Sequence, residues 1–116
     1  MTHGADQQFF SRLATANAGF AERLPATLER IKQLGAQLDP LAPTETANEL
    51  VAMLHTMAGS AFTFGYRGLG HHARALEQRM RVLLTFDAVA ARDWAAWQGE
   101  LGEFVEAGQR DPRGLS

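Results

Sequence analysis

A histidine and a glycine stand four residues apart in the run HTMAGSAFTFG, His55 to Gly65. A free imidazole titrates near about 6.5, so at neutral pH one ring nitrogen keeps a lone pair for nucleophilic attack, proton transfer or metal binding. The surrounding apolar spacing is helical, and a glycine inside a helix costs about 1 kcal/mol relative to alanine. Advancing about 100° per residue places Leu50, Met53, Leu54, Met57, Ala61 and Phe64 on one side. Asn48, Ala52, His55, Ala58, Gly59 and Phe62 fall on the other, with Val51 beside them. The first set is bulky enough to be the core stripe, so His55 is expected to face solvent with only Ala52, Ala58 and Gly59 on the adjacent turns. The glycine then has two readings: clearance for another protein's surface, or close packing of a second helix beside an incidental histidine.

Other chemistries find less support. The chain has no cysteine, which removes disulfides, thiolate catalysis and cysteine-ligated zinc. A histidine metal site would have to use His55, His71 and His72, but adjacent helical residues point about 100° apart and no His-x3-His or Glu-x2-His pair occurs, so no metal is expected. There is no glycine-rich phosphate loop, nucleotide-binding βα unit or paired-carboxylate constellation, which argues against a free-standing enzyme. The net charge is −2 and the basic residues are scattered, so nucleic acid is not an expected partner. No run of about 18 apolar residues occurs, and MTHGADQQFF lacks a basic segment followed by an apolar one; no membrane association and a cytoplasmic location are expected.

The elements that must position these residues are all helical. Phe9, Leu13, Phe20 and Leu24, then Leu28, Ile31, Leu34 and Leu38, form one track interrupted at Pro25, which reads as a short first helix and a longer second one, with Pro25 either a helix start or a kink. DPLAPTE is a connector, with Thr44 or Thr46 available as N-cap and Thr46 with Glu49 fitting a capping box. The next helix should run to about Phe64, with GYRGLG as the turn; Leu69, Ala73, Leu76, Met80 and Leu83 mark the following stripe. Asp87 can cap the last helix, whose core residues are Ala90, Trp94, Trp97, Leu101, Phe104 and Val105. The expected fold is all-α: an antiparallel up-and-down four-helix bundle with a short extra N-terminal helix, one domain over 1–116 with an ordered core at about 6–108 and a loose tail at 109–116.

The stretch LHTMAGSAFTFGYRGLGHHARALE, Leu54 to Glu77, resembles the signature of histidine-containing phosphotransfer (HPt) domains. The resemblance lies in His55, the Gly59-Ser60-Ala61 run, the Phe64-Gly65 pair, and Leu69, Ala73, Leu76 and Glu77 on the next helix. It implies that His55 accepts a phosphoryl group from an aspartyl phosphate on a response-regulator receiver domain and passes it to another, in two-component signalling that begins at a hybrid histidine kinase. The protein would then be a phosphocarrier with no cofactor of its own, and Mg2+ is expected on the partner receiver.

The same resemblance implies a polar residue opposite the histidine at Glu77, where it would accept a hydrogen bond from His55 and leave Nε2 as the nucleophile. A solvated carboxylate on the helix border is the alternative. HPt domains usually carry lysine three residues after the histidine; here that residue is Ala58. If Glu77 faces His55 across a helical hairpin, the same register sets Arg74 opposite Ala58, where it could supply the missing cation. Ala52, Ala58, Gly59 and Phe62 form the expected partner-binding surface, although Phe62 could instead pack on the N-terminal helix, which must bury Phe9, Phe10 and Leu13 somewhere. The alternative function is a non-phosphorylated helical adaptor that binds a kinase or receiver domain.

Overall fold

The computed structural model describes residues 3–115, so positions 1, 2 and 116 of the expected domain lie outside the described residues. Four helices make up the chain: α1 (His3–Gln37), α2 (Thr44–Thr63), α3 (Arg67–Leu83) and α4 (Ala91–Arg110), with no strand among the described residues. Each helix lies beside two neighbours in the ring α1-α2-α3-α4. The interior is filled by the apolar stripes, among them Leu28, Ile31, Leu50, Leu54, Leu69 and Met80, all fully buried. Each such side chain contributes about 1.5–3 kcal/mol by leaving water.

The expected short extra N-terminal helix does not exist as a separate element, because α1 runs unbroken through Pro25. A proline removes one backbone hydrogen bond and crowds the carbonyl four residues earlier. Pro25 lies on the exposed side, where water can take that carbonyl, while Leu24 and Leu28 on either side of it are buried in the core. Continuity of the buried stripe therefore outweighs the local penalty. Nor does the N-terminal third bury its apolar residues: Phe9, Phe10 and Leu13 are 61%, 64% and 40% exposed. At about 1.5 Å per residue the 35-residue α1 spans about 52 Å, against about 30 Å for α2. Its first four turns therefore project as an arm, and the molecule measures 61 × 27 × 21 Å.

The caps also differ from expectation. Helix α2 begins directly after Pro43 with no side-chain cap, so neither Thr44 nor Thr46 serves as one; the Ala47 N–H reaches the Pro43 carbonyl at 2.8 Å. Asp87 lies in the loop before α4, whose cap is Ala90 in extended conformation. Near the C-terminus Arg113 stacks on the Tyr66 ring at 4.0 Å and Leu115 packs against the core. Tyr66 is buried and apolar-faced, so it offers the tail a surface to settle on.

Between α2 and α3 the turn is closed by Gly65 at φ 83, a conformation that side chains other than glycine rarely adopt. The Tyr66 N–H bonds the Ala61 carbonyl at 2.8 Å and the Gly65 N–H bonds that of Phe62 at 3.3 Å, a Schellman closure. This three-residue reversal, Phe64 to Tyr66, fixes the register of the hairpin that carries the site.

Candidate functional site

Helix α2 sits between α1 and α3, so both its flanks are covered and only a narrow strip stays open. His55 lies on that strip with its side chain 65% exposed. Ala52 and Gly59 are exposed beside it. Ala58 is not: it is fully buried in the core cluster, which corrects its assignment to the partner-binding surface. The α3-facing flank is wider than the apolar pattern indicates, because alanine has no bulk to mark a buried position; Val51, expected beside the open face, is buried as well.

Across the hairpin, His55 Nδ1 lies 3.2 Å from Oε1 and 3.1 Å from Oε2 of Glu77. Glu77 is the one buried charged residue of the chain among those described. Its burial is supported on three sides: Arg81 one turn along α3 donates from Nε to Oε2 at 2.9 Å, His55 takes the outer side, and Trp97 donates from Nε1 to the Leu76 carbonyl at 3.0 Å, pinning α4 behind it. A carboxylate held this way accepts a proton-bearing Nδ1, which directs the other ring nitrogen, Nε2, away from the protein. Arg81 was not among the residues singled out in the sequence; its i,i+4 spacing after Glu77 is the signal that could have found it.

A Cβ built on Gly59 meets nothing within 4 Å, so no helix of this chain packs there. The close-packing reading of this glycine is thereby removed, and the position is bare backbone beside an exposed imidazole. Gly70 is the reverse case, since a Cβ there would come within 3.0 Å of the Phe62 ring. Phe62 thus packs on α3 and not on the N-terminal helix: its ring covers Gly70, meets the His71 ring edge-on at 5.0 Å between centroids, and carries the Arg74 guanidinium at 5.2 Å. Phe62 faces Gly70 as His55 faces Glu77, in one register. Arg74 is exposed, but its head group rests on Phe62, two turns of α2 beyond His55, so the structure does not bring it to the imidazole.

On the other flank of the open strip an apolar groove of ≈ 380 Å³ runs between α1 and α2, lined by Phe20, Leu24, Ala52, Met53 and Met57. Among the described residues no group of three His, Asp or Glu side chains is placed to hold one metal ion, and no helix is long and apolar enough to cross a membrane.

The family model of the Hpt domain matches residues 18–107, more than three quarters of the chain, and includes the whole α2–α3 hairpin. No curated protein and no solved structure matches. A four-helix chain with an exposed histidine on its central hairpin, matched over that length, belongs to the Hpt domain family of phosphotransfer modules of two-component phosphorelays.

Proposed function

We propose that the protein is a phosphorelay intermediate in which His55 is the phosphoacceptor, on what we read as an antiparallel up-and-down bundle forming a single domain. The observation that carries this reading is the His55–Glu77 pair: an exposed ring whose inner nitrogen is held by a buried carboxylate. The Nε2 lone pair attacks the phosphorus of a receiver's aspartyl phosphate. A P–N bond forms, the P–O bond to the aspartyl carboxylate breaks, and the carboxylate leaves with the electron pair. The ring now carries a positive charge with its proton still on Nδ1, directly against Glu77, which stabilises the product; transfer to a second receiver reverses the step.

Positioning supplies most of what this chain contributes, since Mg2+ and the charged phosphate-binding groups are expected on the receiver. The bare turn at Gly59 and the small side chain of Ala52 let the receiver's pocket close over the ring, with Phe62 and the α1–α2 groove as apolar contacts on either flank. Arg81 braces Glu77. Arg74 is assigned the supporting cation, released from Phe62, because the register that sets Glu77 opposite His55 sets Arg74 opposite Ala58. Receiver domains and a hybrid histidine kinase are the proposed partners, in the cytoplasm.

The test is to incubate the protein with a labelled phosphoreceiver and follow acid-labile, alkali-stable label. Wild type should acquire it and His55→Gln should not, while remaining folded. Label retained in full on folded His55→Gln would move the acceptor to another residue, and absence of label from the wild type would favour a non-phosphorylated adaptor.

A further inference from the structure

The projecting part of α1 carries Phe10 and Leu13 at a spacing of three and four residues that continues, across the polar Asn17, through Phe20, Leu24, Ile31, Leu34 and Leu38. This is a coiled-coil seam, and from Phe20 onward the bundle covers it. Phe20 meets the rings of Phe64 at 5.6 Å and Tyr66 at 5.1 Å, and Leu28 lies against Gly108 of α4. The covering elements run past α1 with numbers that fall as those of α1 rise: Phe64 touches Phe20 and Glu49 pairs with Arg30, while Gln109 bonds Glu29 and Gln98 bonds the Gly35 carbonyl. They stop at Thr63 and Arg110, and the same seam goes on uncovered through Leu13, Phe10 and Phe9.

We infer that this arm is covered by the arm of a second copy of the chain, running in the opposite direction, so that two bundles dimerise end to end through residues 4–17. An opposed arm takes up the seam where α2 leaves it and keeps the same sense. A parallel arm is excluded by the fold, because each seam faces its own bundle and two side-by-side bundles would occupy one volume. In the opposed register Phe10 of one copy meets Leu13 of the other and Phe9 meets Ala14, large against small, with the half-buried Asn17 closing each end as a polar position that sets register. The uncovered part of the seam lies outside the matched segment 18–107, so it is an addition to the phosphotransfer module and distinct from the surface around His55. A fully covered aromatic side chain buries on the order of 150–250 Å². Four phenylalanines and two leucines, already partly covered in the monomer, fall below the roughly 1,600 Å² of a standard interface, and the dimer should be weak and reversible.

Sedimentation velocity of the full chain across micromolar concentrations should show a monomer–dimer equilibrium. Phe10→Glu combined with Leu13→Glu should hold the protein monomeric, with helical content and phosphotransfer unchanged. Because the chain lacks cysteine, a spin label at Gly4→Cys reports direction: opposed arms separate the two labelled backbones by about 24 Å, whereas parallel arms bring them to about 10 Å. A wild type that stays monomeric throughout, a dimer that survives the double substitution, or labels at the short distance overturns the proposal. So does a monomer whose arm substitutions weaken receiver binding, which would give the arm to the receiver.

Discussion

The Nδ1 of His55 and the Oε2 of Glu77 lie 3.1 Å apart, yet the two side chains differ almost tenfold in exposure, at 65% and 7%. The ring stands in water and its partner inside the protein. The carboxylate is thus the fixed member, and it sets the ring's tautomer and direction. Glu77→Gln keeps an acceptor oxygen in place and should leave phosphotransfer within a few-fold of wild type. Glu77→Ala removes it, and loss of an orienting hydrogen bond worth about 1 kcal/mol should slow transfer on the order of tenfold. Single-turnover transfer from a phosphoreceiver distinguishes them; equal rates for both variants would show that Glu77 does not orient the ring.

Gly59 separates stability from function. Alanine there meets no neighbour and is a better helix former, so Gly59→Ala should raise stability by about 1 kcal/mol, or a few degrees in Tm. The added methyl stands where the receiver is proposed to approach, so transfer should slow while the isolated protein gains. A faster or unchanged transfer rate would place the partner's contact elsewhere.

The two arginines of α3 should behave differently. Arg81→Ala removes a donor from a buried carboxylate and should destabilise the fold by about 1–2 kcal/mol, read in urea unfolding, and slow transfer with it. Arg74→Ala gives up only an exposed stacking contact worth about 0.5–1 kcal/mol on Phe62. Its effect should appear in the lifetime of the phosphohistidine, and an unchanged lifetime would remove Arg74 from the site.

Much of this arrangement is legible in the amino-acid order. The helical stripes gave most of the buried residues of α3 and α4, though Ala90 is exposed, and the position of Gly65 gave the hairpin; the facing of His55 and Glu77 came from the resemblance to HPt domains. Ala58 was misread because an alanine carries no apolar weight: whether it is covered depends on how closely α3 approaches, and that is a tertiary fact. Pro25 misled for the opposite reason, since its local penalty is large but the packing of Leu24 and Leu28 on either side is larger. The lodging of Arg74 on Phe62 depends on rotamers, about which residue spacing is silent.

That balance at Pro25 can be measured. Pro25 is exposed and lies within a continuous helix, so Pro25→Ala restores a backbone donor and relieves the clash one turn earlier. Stability should rise by about 1–3 kcal/mol in urea unfolding, with transfer unaffected. A loss of stability would mean that α1 uses a bend at this point to seat its buried stripe.

The Schellman turn at Gly65 also acts as a ruler. His55 and Glu77 are 22 positions apart on one hairpin, and each helix advances about 100° per residue. Inserting or deleting one residue near Tyr66 would turn α3 by about 100°, carrying Glu77 off the imidazole and Leu69, Ala73, Leu76 and Met80 off the core together. The ring orientation and the packing of α3 are therefore set by the same turn and would be lost together. The loop that makes no contact with phosphate would then be the least tolerant of a change in length.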